Sequence, residues 1–245
     1  MSNTATQWPQ FTNLTGVSMK LNELPWQLSD PYEQVGAAFE SVLRRMRSIP
    51  VAPATEELQV GDVSVKVAGS AEDQAAADRL IAERYAWRGY LDRSEAGHLS
   101  TSIVPTACFT LLAFRNGRAV GTLTLGVDTA ARLVVDEANP EIVDGLRRIG
   151  RRVVELRRFA VQDDGESKAI FANLFFSAYR IGRVLHRATD VLIEINPRHE
   201  AYYRRIFGFA RVGKQWVCPR VNAPAILMHL DLINLDVRLG ASQGH

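Results

Sequence analysis

Between residues 152 and 195 the chain reads as one unit. A strand, "VVELRRFAVQ", is followed by a long apolar helix, "SKAIFANLFFSAYRIGRVLHRAT", and then by a short strand, "VLIEI". No other feature restricts the fold as much. Strands joined through a whole helix do not pair as a hairpin. They lie parallel, with the helix crossing over one face of the sheet in the right-handed sense. "VLIEI" is apolar enough to be buried on both faces, which puts it inside the sheet. In sheets of this kind the site lies at the carboxyl ends of the parallel strands.

The elements around this unit are of mixed type. "VSVKVAG" (63 to 69) alternates as a strand, and "SAEDQAAADRLIAERYAWRGYL" is a long helix opened by a serine cap. "CFTLLAFRNGRAVGTLTLGVD" is two strands around Asn116-Gly117, a strong hairpin signal. A short helix follows from Pro140 to about Ile149, and after the crossover come a short helix, "RHEAYYRRIF", and a final strand, "PAILMHLDLI". Antiparallel and parallel pairs together predict an α/β fold of the α+β kind, a mixed sheet with helices on both faces.

The first 57 residues are different. Residues 1 to 30 are polar and carry Pro9 and Pro25, which predicts irregular structure. Asp30 is an N-cap candidate before Pro31, and Tyr32, Val35, Phe39, Val42, Leu43 and Met46 then recur at helical spacing. "IPVAPATEE" reads as a linker. The expected division is therefore an N-terminal helical arm over 1–57 and one domain over 58–245. The arm's apolar stripe is expected to pack on that domain; pairing of two subunits and a membrane surface are the alternatives.

Composition narrows the class without naming a partner. With 47% hydrophobic and 23% charged residues in 245, the chain has the make-up of a soluble globular protein. A net charge of +2 selects no nucleic acid or other polyanion. Cys108 and Cys218 lie too far apart in sequence for a disulfide framework or a zinc site, so no metal is expected. Cys108, in an apolar strand pattern, is expected in the core. No apolar run approaches the roughly 18 residues that a membrane span requires. The N-terminus lacks the basic start and apolar stretch of a secretory signal, which predicts a cytoplasmic location.

The order of elements resembles the Gcn5-related N-acetyltransferase (GNAT) fold, in which two parallel central strands part and a pantetheine arm lies between them. "NPRHEAYYRRIFGF" is similar to that fold's ending, where an Asn after the strand is followed seven residues on by a Tyr and then by Gly-Phe; Asn196 and Tyr203 have this spacing. Phe207 is an extra residue before Gly208-Phe209. Together with "CPRVNAPAILMHLDL", the stretch resembles bacterial N-acyl amino acid synthases, N-acyl-tyrosine synthases among them, which are related to acyl-homoserine-lactone synthases. The resemblance covers residues 62 to 233.

The same resemblance implies the site. "VELRRFAV" is similar to the E-x-S-R-F-x-V strand of homoserine-lactone synthases. It puts Glu155 at the catalytic glutamate and Arg158 at the arginine, with Arg157 in place of the serine. By strand alternation Glu155 and Arg157 share one face and Arg158 takes the other. Backbone N–H groups around Phe159 to Val161 are the expected oxyanion donors. Tyr203, or Tyr202 in the longer turn, is the expected proton donor to the leaving thiolate. Arg158 or Arg84 would pair with the acceptor carboxylate; for Tyr85, Trp87 and Tyr90, aromatics on a helix, packing is the equal alternative to a place in the site. Asn196 and Arg198 would meet the donor at the mouth of the slot.

"QDDGESKA" corresponds to the pyrophosphate loop of acetyltransferases, with Gln162, Gly165 and Ser167 at the matching positions. Asp163, Asp164 and Glu166 put three carboxylates there, unfavourable for coenzyme A and tolerable for the single phosphodiester of acyl carrier protein. Six arginines in the twelve residues 147 to 158 (Arg147, Arg148, Arg151, Arg152, Arg157 and Arg158) are expected to steer that acidic carrier.

The reading implied is an N-acyltransferase that joins a long-chain acyl group, carried as a thioester, to the α-amino group of an amino acid. Acyl carrier protein is favoured over coenzyme A as donor, and no tightly bound cofactor is expected. An acyl-homoserine-lactone synthase, an acetyl-coenzyme A-dependent acetyltransferase and a non-catalytic acyl-carrier or lipid-binding module are the alternatives.

Overall fold

The computed structural model describes residues 57–89, 107–162 and 167–241. The expected N-terminal arm, Tyr90, and the turn with Asp163, Asp164, Gly165 and Glu166 lie outside the described residues. The strands are β1 (Leu58–Val60), β2 (Val63–Val67), β3 (Cys108–Arg115), β4 (Arg118–Val127), β5 (Val153–Val161), β6 (Asp190–Ile195), β7 (Ala210–Arg211), β8 (Trp216–Cys218) and β9 (Ala223–Asp231). The helices are α1 (Ala71–Trp87), α2 (Pro140–Arg148), α3 (Ser167–Tyr179), α4 (Glu200–Phe207) and α5 (Leu232–Ala241). The strand order is β1-β2-β3-β4-β5-β6-β9-β7, with β8 on β9. Among these pairs β5–β6 alone is parallel, as the crossover requires.

Local chemistry accounts for most boundaries. The Ser70 hydroxyl accepts from the Asp73 amide and caps α1. Asn116 and Gly117 both have positive φ, +51° and +74°, the geometry of the tight turn that matches strand twist. Gly208, at φ +81°, ends α4 in the left-handed conformation.

Each face of the sheet is covered by its own layer. On one face Leu123, Leu125, Val154 and Leu156 pack against Ile170, Phe171, Leu174 and Phe175 of α3, with Tyr203, Phe207 and Leu232 in the same cluster. Phe171 and Phe175 stack at 4.4 Å between ring centroids, and Phe175 stacks on Phe207 at 4.9 Å. On the other face α1 covers Leu112 and Ala160 through Ala77, Leu80 and Ile81. A 3₁₀ turn at Val134–Glu137 and α2 cover Val153, Leu192 and Leu227.

Three sequence expectations change. The long helix is α-helical only to Tyr179 and then widens into a π-helical segment, Arg180–Leu185. The closing strand stops at Asp231 and a helix, α5, follows it. Cys108 is exposed at the first position of β3, beyond the part of that strand covered by α1 at Leu112; Cys218 is the buried cysteine.

Candidate active site

The parallel ladder is short. β5 and β6 pair from Val153/Asp190 to Leu156/Ile193. Beyond that point β5 stays with β4 as far as Val161 and β6 stays with β9 as far as Ile195. The two central strands therefore part, and their facing edges no longer bond each other. A bulge helps to open them. The β4–β5 register shifts between Thr122/Ala160 and Thr124/Arg157, and Arg158 takes φ +53° within it.

This bulge corrects the predicted alternation. Glu155 and Arg157 pair with Gly126 and Thr124, on the face that carries α1 and α2. Arg158 was expected on the opposite face, but the extra residue turns it to the α1 side, where it forms an ion pair with Asp78. Phe159 and Val161 consequently turn to the α3 side. Phe159 meets Phe171 edge-to-face at 4.8 Å, and Val161 packs on the same cluster.

Glu155 is 3% exposed. Its Oε1 accepts from the Val134 amide at 3.2 Å and its Oε2 from the Val135 amide at 2.9 Å. Arg157 Nε lies 3.2 Å from Oε1 as an ion pair, but its N–H has no aligned acceptor. Burial raises the Glu155 carboxyl above its ordinary range, and the two amides and Arg157 oppose this only in part. Only glycine fits opposite it: a Cβ on Gly126 would come within 2.9 Å of Glu155 Oε1.

A second carboxylate stands close by. Glu194 lies one residue past the last β5–β6 pair; its Oε1 accepts from Asn139 Nδ2 at 3.3 Å and its Oε2 from Arg220 Nη2 at 2.9 Å. Burial above all, with the charges of Glu155 and Glu137 against that of Arg220, holds its pKa at about 7. No motif of the sequence singles out Glu194, Arg220 or Asn139. A Glu inside the apolar strand "VLIEI" was the available signal, since a carboxylate buried there needs partners.

The other predicted residues are spread around the opening. Asn196 is extended (φ −65°, ψ 136°), as Pro197 requires, and its Oδ1 caps the Arg198 amide at 3.2 Å. Arg198 is exposed and donates through Nε to His199 Nε2 at 3.1 Å. Burial, with Arg198 and Arg88 nearby, lowers His199 to about 4, so it is a neutral acceptor at pH 7. Tyr203 is buried against Phe171, Phe175, Phe207 and Phe209, and burial raises its phenol so that it stays protonated. Tyr202, half-buried, meets Tyr203 at 5.5 Å. The Arg84 guanidinium lies 4.6 Å over the exposed Trp87 ring. The Gln162 amide donates to Val120 O at 2.8 Å. Ser167 begins α3, and its side chain lies outside the described residues, as does Gly165.

The arginine cluster is a different object from the one expected. Arg147 bonds Asp128, Asp136 and Asp144, Arg151 bonds Asp190 and Asp231, Arg157 pairs with Glu155 and Arg158 with Asp78. Four of the six are thus neutralised within the fold, and this stretch is not an open cationic surface. Beneath the paired part of β5 and β6, on the α3 side, an apolar cavity of about 30 Å³ is bounded by Val154, Leu156, Phe175, Val191, Phe207 and Leu235 among others. Among the described residues no three His, Cys, Asp or Glu side chains gather to hold a metal ion, and no helix is long and apolar enough to cross a membrane.

The family model "N-acyl amino acid synthase FeeM" matches residues 76–231. The structure of FeeM, an N-acyl amino acid synthase from uncultured soil microbes, is similar at 26% identity; the match covers 70% of this chain and 91% of that one, with a TM-score of 0.60. Escherichia coli ElaA, at 11% identity, TM-score 0.51 and coverage of 69% and 99%, shares the fold alone. Among curated proteins none matches this chain. The parted parallel strands, the buried glutamate beside them and the family match over most of the chain lead to one conclusion: the chain belongs to the N-acyl amino acid synthase family and is an acyltransferase built on the GNAT fold.

Proposed function

We propose that this acyltransferase moves a long-chain acyl group from acyl carrier protein to the α-amino group of an amino acid. The observation that carries the reading is the opening of the β5–β6 ladder after Leu156 and Ile193, with the buried Glu155 one pair before it. A pantetheine arm fits such an opening, because the freed strand edges offer backbone donors and acceptors to its amides. The thioester carbonyl would then sit near the bulge, and a β5 amide among Phe159 to Val161 would stabilise its oxyanion. The acyl chain would lead toward the apolar cavity under α3, whose wall is hydrocarbon and aromatic.

In this reading the acceptor enters from the α1 side. Arg158 is already matched by Asp78, so the acceptor carboxylate falls to Arg84, which has a ring contact and no carboxylate partner among the described residues. Glu155, a buried carboxylate with a raised pKa, suits a proton acceptor for the attacking amine, directly or through one water. The departing thiolate takes a hydrogen bond from Tyr203 and then the proton gathered by Glu155. Catalysis is chiefly positioning and electrostatics.

Two features favour carrier protein over coenzyme A. Asp163, Asp164 and Glu166 precede α3, where a diphosphate would be repelled. Arg198, Arg204 and Arg205 are exposed on the turn and helix after β6, a positive rim suited to an acidic carrier. Titration of the protein with acylated carrier protein and with acyl-coenzyme A of the same chain length separates the donors. The carrier is expected to bind more tightly and to lose affinity as salt is raised; tighter binding of acyl-coenzyme A would overturn the assignment.

A further inference from the structure

N-acyl transfer from a thioester to an ammonium group requires two proton removals from nitrogen. The first turns the ammonium into a nucleophilic amine. The second follows attack, when the nitrogen of the tetrahedral intermediate is again positive. One of these protons ends on the thiolate and the other goes to solvent. Glu155 answers for one removal only.

Three carboxylates, Glu137, Glu155 and Glu194, share two guanidiniums here: Arg220 bridges Glu137 and Glu194, and Arg157 pairs with Glu155. Among the described residues these carboxylates outnumber the guanidiniums paired with them by one, so the cluster would attract an arriving ammonium. The two carboxylates beside the parted strands are placed differently. Glu155 is held by two main-chain amides beneath the 3₁₀ turn, with its side chain 4% exposed. Glu194 stands beyond the last β5–β6 pair, with its side chain 16% exposed. Its hydrogen bonds, from Asn139 and Arg220, leave each oxygen with a lone pair.

We infer that Glu194 is a second catalytic residue: it takes the first proton from the acceptor ammonium and releases it to solvent, while Glu155 takes the second after attack. The step balances, since R–NH₃⁺ and the Glu194 carboxylate become R–NH₂ and the Glu194 carboxylic acid, with no other reactant. A pKa of about 7 suits a group that must gain and lose a proton each cycle near neutrality. Burial sets it first, with Arg220 from the turn before β9 lowering it and Glu155 from β5 and Glu137 from the 3₁₀ turn raising it; Asn139 and, beside Glu155, Arg157 also face this cluster. The inference rests on the amine-acceptor reading above.

The test is the pH profile of kcat/KM for the acceptor, in wild type, Glu194→Gln and Glu194→Asp, with each amino acid singly and with methylamine. Wild-type activity should rise as pH passes through about 7, where Glu194 loses its proton. Glu194→Gln should lose activity on the order of tenfold at pH 7 and regain most of it once pH exceeds the acceptor amine's own pKa, because the amine then arrives neutral. Glu194→Asp should keep a rise near neutrality, and donor KM should not move. An unchanged profile, or an equal loss at every pH, overturns the role. Acylated methylamine without any acylated amino acid would sink the amino-acid reading and leave the Glu194 result standing, whereas no acylated amine of either kind would sink both.

Discussion

Glu155→Gln is expected to lower turnover by roughly 100-fold or more while the protein stays folded, the usual range for loss of a general base. The amide keeps one acceptor for the Val134 and Val135 N–H groups and loses the other, so a stability cost of about 1–3 kcal/mol accompanies the change. A second consequence separates catalysis from bracing. The Glu155 charge helps to hold Glu194 up, so its removal should move the neutral limb of the acceptor pH profile toward acid. Stopped-turnover assays across pH, with unfolding curves in parallel, measure both effects. Full turnover in a folded variant would make Glu155 a structural residue.

Asp190→Ala is expected to be the most destabilising single change at the opposite end of β6. Asp190 is fully buried and accepts from Arg151 through both oxygens, at 2.6 and 2.9 Å, with His229 Nε2 at 2.6 Å and Thr189 Oγ1 at 2.5 Å. Burial pushes its carboxyl up, but the bonds from His229, Arg151 and Thr189 outweigh this and hold it below the usual range. Removing the carboxylate leaves Arg151 with Asp231 alone and His229 without its partner, a loss of about 3–5 kcal/mol for a broken buried pair. The thermal midpoint should fall on the order of 10 °C at neutral pH, with activity per folded molecule retained. The sign with pH follows from the lowered pKa. The stabilisation is present above the unfolded-state value and is lost as pH falls through the folded one, so wild type and variant should converge in acid. A midpoint that does not move at pH 7 would show the network to be dispensable.

The crossover that dominates the sequence also organises the molecule. Its apolar helix and strands left the parallel pair as the one geometry available, and Asn116-Gly117 and Gly208 needed only their φ preferences to set a turn and a helix end. What the sequence hid depended on events without a periodic signature. One extra residue at Arg158 reverses the alternation of β5, so Arg158 joins Arg157 on the α1 side and Phe159 moves to the aromatic cluster. The arginines between 147 and 158 looked like a surface because their partners are distant in sequence: Arg151 meets Asp190 and Asp231, 39 and 80 residues away. Glu194 was legible only as an anomaly in an apolar strand; its partners Asn139 and Arg220 come from a loop and a turn that strand pairing alone brings together.

The most direct measurement is mass spectrometry of lipid extracts from cells expressing the chain, with Glu155→Gln expressed to the same level as the control. Long-chain N-acyl amino acids are expected with wild type, and their near disappearance with the variant. Acyl-homoserine lactones in their place, N-acetylated products alone, or equal amounts of N-acyl amino acid from both would contradict this expectation.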